Sequence, residues 1–204
     1  MLIVLGLTVI LSTFCFNFNV TLPVLAYNTL HTHAAVYGIL SAAFGAGALA
    51  GALAAASLSK ASARTMIIGA LIFTGGELLL APVKNAIVVG ILLFVIGAGF
   101  TVWSANSNAS MQLAAPDRLR GRIIGIYFYA FNGTGPLGGL LVGWLCATGG
   151  TELAFFVAGI LGLAGTAVAA QRFRDMGSPK HRPAQPVGGQ GRSQLASVTH
   201  TQSN

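Results

Sequence analysis

The sequence is short of charge, and of acid above all. Of its 204 residues only 15 are formally charged, 11 Lys or Arg and four Asp or Glu. A soluble domain is about one-quarter charged, and a chain with 7% charge cannot cover a water-facing surface. An ordinary soluble fold is excluded, and the lipid bilayer is the implied solvent. Cysteine is scarce as well. Cys15 and Cys146 both lie in apolar runs, too few for a disulfide framework and without metal-ligand spacing, and they read as small hydrophobes. The first apolar run lacks a basic segment before it and a small-residue cleavage site after it, so a cleaved signal peptide is not expected. No Ser-His-Asp, Cys-His, paired-carboxylate or phosphate-loop constellation occurs, so neither an enzyme nor a cofactor is expected. The net charge of +7 is spread thinly at the edges of apolar runs, so no nucleic-acid partner is expected either.

What the sequence has in quantity is apolar residues, at 54%, and glycine, at 27. A membrane helix needs about 20 mainly apolar residues. Six runs meet this length and predict an all-α polytopic membrane protein: 2–27, 36–58, 65–81, 86–111, 123–147 and 153–171. They lack the alternation of barrel strands and are about twice too long for them. From 172 to 204 the composition turns to Pro, Gly, Ser, Thr and Gln with scattered Arg and Lys, which predicts a disordered basic tail. Lys60, Arg64, Arg118, Arg120, Arg122 and the five basic residues of the tail all fall on one side of the membrane, and Lys84 alone on the other. Ten against one places that side, and both termini, in the cytoplasm.

Helices in lipid associate through small residues that let backbones approach. Gly47, Gly51 and Ala55 form such a ladder in the second run. The fifth run carries Gly133, Gly135, Pro136, Gly138 and Gly139, and Pro136 should kink it. The carbonyl so freed must be satisfied by a neighbouring helix or by water, so this segment should face protein or a pore.

Three stretches carry a resemblance to a known family. They are Phe14-Cys15-Phe16-Asn17-Phe18-Asn19-Val20-Thr21-Leu22-Pro23, the Gly45–Leu53 Ala/Gly run, and Pro116-Asp117-Arg118-Leu119-Arg120-Gly121-Arg122 leading into the glycine-proline segment. Together they resemble the C-terminal half, helices seven to twelve, of a major facilitator superfamily transporter, and among these the bacterial enterobactin-exporter-like efflux proteins. The resemblance implies one half of that fold, as two inverted three-helix repeats, in a bacterial plasma membrane. It implies proton-driven efflux of a small amphipathic molecule of drug or siderophore type. Family members have about twelve helices, so the chain reads as a fragment, from a truncated frame, a misplaced start or a split transporter. Its partner would be a missing N-terminal half or a second copy. The other reading is an independent six-helix protein that dimerises or serves as a structural subunit.

Candidate site residues follow. Glu77 is the one acid well inside a run: either a proton-coupling or cation-binding carboxylate, or a side chain reaching headgroup water from the outer third of its helix. Asn17 and Asn19, two apart, cannot share a face, and one of them is expected to line a substrate cavity. Trp103, Asn106 and Ser110 fall on one face by spacing, either a cavity-lining stripe or a helix leaving the membrane. Tyr127, Phe131 and Asn132 suit an aromatic or amphipathic substrate, with an interfacial anchor as the other role of Tyr127. Arg118, Arg120 and Arg122 read as topology determinants, or as an ion-pair latch with Asp117 or with the other half. The His31-x-His33 pair has no third ligand, and no metal is expected.

Overall fold

A computed structural model describes residues 2–29, 34–57 and 61–177. Among these there are only helices and turns. The order is α1 (Leu2–Ile10), a π-helical turn (Leu11–Cys15), α2 (Phe18–Val24), a second π turn (Leu25–Thr29), α3 (Ala34–Ser57), α4 (Ala63–Leu80), α5 (Ala86–Ala114), a 3₁₀ turn (Asp117–Leu119), α6 (Arg120–Asn132) and α7 (Gly135–Gly177). Among the described residues five stretches are long and apolar enough to cross a membrane, the fifth being Asp117–Asp175. That stretch has 59 residues, about three times what one crossing needs. It is interrupted at Gly133–Thr134 and again inside α7, where Gly149 (φ −137°, ψ 16°) and Gly150 (φ 71°, ψ −176°) leave the helical region. The sequence reading counts two runs here. The structure joins them into one stretch because only two residues, one a left-handed glycine, carry the change of direction.

Helix ends follow their local chemistry. Ser62 caps α4 by accepting from the Arg64 N–H, and Asn85 caps α5 by accepting from Ile87 and Val88. Pro116 follows the end of α5 at Ala114. At the other terminus α7 runs to Gly177, six residues past the predicted edge at Gln171. Phe173 packs against the core there, and Arg174 sits in the last turn, where a cation suits the helix dipole. Residues 178–204, the rest of the predicted tail, lie outside the described residues, as do His31 and His33. The chain divides into one unit, Met1–Phe173, and residues 174–204.

Within the first unit α5 is central, packed along α3 on one side and α4 on the other. A Cβ at Gly47 would run into the Phe94 carbonyl, one at Gly51 into that of Ala98, and one at Gly97 into that of Phe44. At Gly69 it would stand 2.6 Å from the Trp103 nitrogen. Backbones this close are what small residues permit where lipid supplies no hydrophobic drive.

The segment 2–29 departs most from expectation. The sequence reads as one helix, but the backbone leaves it at Phe16 (φ −87°, ψ 52°) and Asn17 (φ −118°, ψ 37°). In an unbroken helix the Asn17 N–H would bond to the Thr13 carbonyl. Here the Asn17 side-chain amide donates to that carbonyl at 2.7 Å, and the backbone N–H turns to Cys15 O at 3.0 Å. Local competition of this kind is what Asn does in helices. Pro23 adds a missing donor, and a π turn follows it. The aromatic ring at the break is fixed: Phe16 stacks on Phe100 of α5 with centroids 4.4 Å apart.

Candidate functional site

Two interrupted stretches meet. The Ser12 hydroxyl, shared with the Thr8 carbonyl at 2.7 Å, also reaches the Ala130 carbonyl at 3.2 Å and lies 3.1 Å from the Thr134 hydroxyl, which bonds to the same Ala130 carbonyl at 3.1 Å. The helix breaks at Gly133–Thr134, so the Ala130 carbonyl loses its place in the ladder and takes these two hydroxyls instead. The expected kink at Pro136 is displaced to that turn. Pro136 itself falls in the first turn of α7, where a missing N–H costs little. One turn on, a Cβ at Gly138 would strike the Thr13 carbonyl and come within 2.7 Å of the Asn17 amide, and Gly139 borders Asn17 Oδ1. Gly133 would meet the Tyr129 carbonyl of its own helix at 2.5 Å, and Gly135 faces open space.

Glu77 lies beside this junction and does not reach water: it is 1% exposed. Its Oε2 has no hydrogen-bond partner. The Cys15 thiol, in the π turn just before the break, faces the carboxyl and also donates to the Ala158 carbonyl at 3.4 Å. A Cβ at Gly162 would stand 2.5 Å from Thr74 Cγ2 and 2.7 Å from Cys15 Sγ, so α7 closes this chamber only because it has glycine there. A buried carboxyl with one bare oxygen is an expensive arrangement in a membrane span.

A groove of about 350 Å³ lies between α5 and α6, lined by Ser104, Asn108, Gln112, Tyr127 and Phe131 among others. Tyr127 donates to the Ser104 carbonyl at 3.5 Å across it. Trp103 and Asn106 do not line it. Trp103 is wholly buried, stacked on Phe73 and Phe131, and its indole N–H has no partner. Asn106 donates to the Val102 carbonyl at 2.8 Å and accepts from the Ser62 N–H at 3.3 Å, tying the α3–α4 connection to the end of α5. The polar stripe facing the groove, Ser104, Asn108 and Gln112, lies nearly opposite on the helix to the one the spacing suggested, about 165° of rotation away. Asn17 is buried and Asn19 exposed, so the two point to different surroundings. Asn132 is exposed as well and bonds only to the Phe128 carbonyl of its own helix, at 3.1 Å.

Two ion pairs stand among the described residues. In the α5–α6 connection Arg120 pairs with Asp117 at 2.8 Å, while Arg118 and Arg122 stand exposed. Lys84, after α4, pairs with Glu152, just past the Gly149–Gly150 turn, at 2.9 Å. Among the described residues no three His, Cys, Asp or Glu side chains converge as a metal site.

A search of curated proteins found no match to this chain. The family model of transmembrane secretion effectors, within the major facilitator superfamily, matches residues 3–192, nearly the whole sequence. That match joins the apolar helices, the interrupted spans and the basic connection before α6 into one assignment. The chain belongs to the transmembrane secretion effector family of major facilitator transporters, and its work is transport across a membrane.

Proposed function

We propose that the chain is the second half of a proton-driven exporter of small amphipathic molecules, and that it works against another six-helix half, either a separate N-terminal half or a second copy. In this reading the 59-residue stretch makes two crossings, the half comprises two inverted three-helix repeats, and both termini face the cytoplasm of a bacterium. The observation that carries it is the meeting of two broken helices beside a buried carboxyl. Irregular backbone at membrane depth is tolerated where it is buried in protein or lines a cavity, and transporters place their sites at such breaks. Exposed Asn19 and Asn132 support the same reading, since an amide facing lipid is costly and one facing an aqueous cavity is not. Glu77 is assigned the coupling proton, Asn19 and Asn132 the cavity wall, and Tyr127 the aromatic contact with the substrate; Asn17 holds the break open.

The test is uptake of a fluorescent amphiphile into everted vesicles carrying this chain together with an N-terminal half of the same family. A protonophore should abolish uptake, and Glu77→Gln should remove its dependence on the pH gradient while leaving binding intact. Uptake that ignores the protonophore would end the proton-driven reading. A Glu77→Gln variant with unaltered pH dependence would end the role of Glu77 alone.

A further inference from the structure

The groove between α5 and α6, of which only Tyr127 has been given a role, has a distinct chemical character. Its polar groups are the hydroxyls of Ser104 and Tyr127 and two amides, and its remaining walls are alanine methyls and aromatic rings. Gln112 donates to Asn108 Oδ1 at 2.5 Å, which leaves the Asn108 amide nitrogen and the Gln112 amide oxygen free to meet a guest. No charged side chain lines the groove itself. Charge stands at one end. On α6, Arg120, Tyr127 and Phe131 are seven and eleven residues apart, close to two and three full turns, so they share one face. Arg120 therefore sits about 10 Å along that face from Tyr127, toward the α5–α6 connection.

Arg120 already holds a carboxylate. Its partner Asp117 is three residues away on the same connection, with 92% of its side chain exposed, and an exposed pair of this kind exchanges readily.

We infer that the groove takes a small aromatic acid, its ring against Tyr127 and Phe131 and its carboxylate on Arg120, whose guanidinium leaves Asp117 and extends along the helix face toward Tyr127. A guanidinium offers a carboxylate two parallel hydrogen bonds, and the ring faces and amides suit a flat body with few polar atoms. The inference deepens the transport reading by naming the substrate class, and it rests on that reading only for the step after binding.

The chain supplies its own reporter. Trp103 stacks on Phe131 with centroids 6.0 Å apart, and the other tryptophan, Trp144, is 64% exposed and can be replaced by Phe. The experiment measures quenching of Trp103 emission in the full-length W144F protein, in phosphatidylcholine nanodiscs. The three probes are 4-nitrobenzoate, 4-nitrobenzyl alcohol and 4-nitrobenzylammonium. The acid should bind about tenfold more tightly than the alcohol, and the ammonium most weakly. Arg120→Gln should bring acid and alcohol level, Asp117→Asn should tighten the acid by about two- to threefold, and Arg122→Gln, on another face, should change little. The preference should persist when one-third of the lipid is phosphatidylglycerol. Equal binding of the three probes, or an acid preference that survives Arg120→Gln, would overturn the proposal. So would loss of quenching in the anionic nanodiscs, which would give the site to a lipid headgroup. Binding is read here without transport, so a failed uptake assay leaves this result standing, and a failed quenching assay leaves proton coupling standing.

Discussion

The layer of α3, α4 and α5 and the segment 2–29 are both strongly apolar, and they behave in opposite ways. In the layer, glycines stand where a neighbouring backbone passes, yet the three helices run unbroken for 24, 18 and 29 residues. In the segment the single glycine, Gly6, has open space beside it, and still the helix breaks ten residues later. Glycine in these spans serves approach. Interruption comes from residues that divert or remove a backbone hydrogen bond, Asn17 by its side chain and Pro23 by its ring. One region is therefore built to stay rigid and the other to hold an irregular shape.

The sharpest way to break this contrast is to put a side chain into the layer. Gly47→Val or Gly97→Val drives a branched carbon into a backbone carbonyl that has nowhere to go. The expected loss is about 3 kcal/mol, the upper end for overpacking. Gly45→Ala on the same helix, with nothing near it, should stay within about 0.5 kcal/mol. Reversible unfolding in mixed micelles measures both, and equal effects would show that close approach is not what the glycines provide. A smaller effect is expected at the junction of the broken stretches. Ser12→Ala and Thr134→Val should each cost about 1 kcal/mol, and the pair more than the sum, since only together do they strip the Ala130 carbonyl. Strict additivity in the double-mutant cycle would argue against that shared role. Smallest of all, Glu152→Gln removes the exposed pair with Lys84 and should cost no more than about 0.5 kcal/mol, less at high salt.

Much of the rigid layer is legible in the sequence. The span limits follow from apolar length, and the Gly47–Gly51 ladder follows from its four-residue spacing. The break at Phe16–Asn17 is harder to read. Asn17 is visible, but which donor wins the Thr13 carbonyl depends on Gly138 letting α7 come close. The lining of the groove falls on another face of α5 than expected, because a stripe on α5 can be chosen only when the side occupied by α6 is known. Trp103 then belongs to the packing and Ser104 to the groove. The burial of Glu77 likewise depends on distant residues, Gly159 and Gly162, whose bare backbone brings the last stretch against α4. Local rules give the elements, whereas positions set by a partner helix need the fold.

The two cysteines end in unlike places, and this has a practical consequence. Cys146 is partly exposed, but the Cys15 thiol is shut in behind the break, held to the Ala158 carbonyl and facing Glu77. A water-borne thiol reagent reaches Cys15 only while the π turn stands away from α7. The molecule thus carries a chemical clock at its irregular centre: with Cys146 replaced by Ala, the labelling rate of one native sulfur reports how often that centre opens.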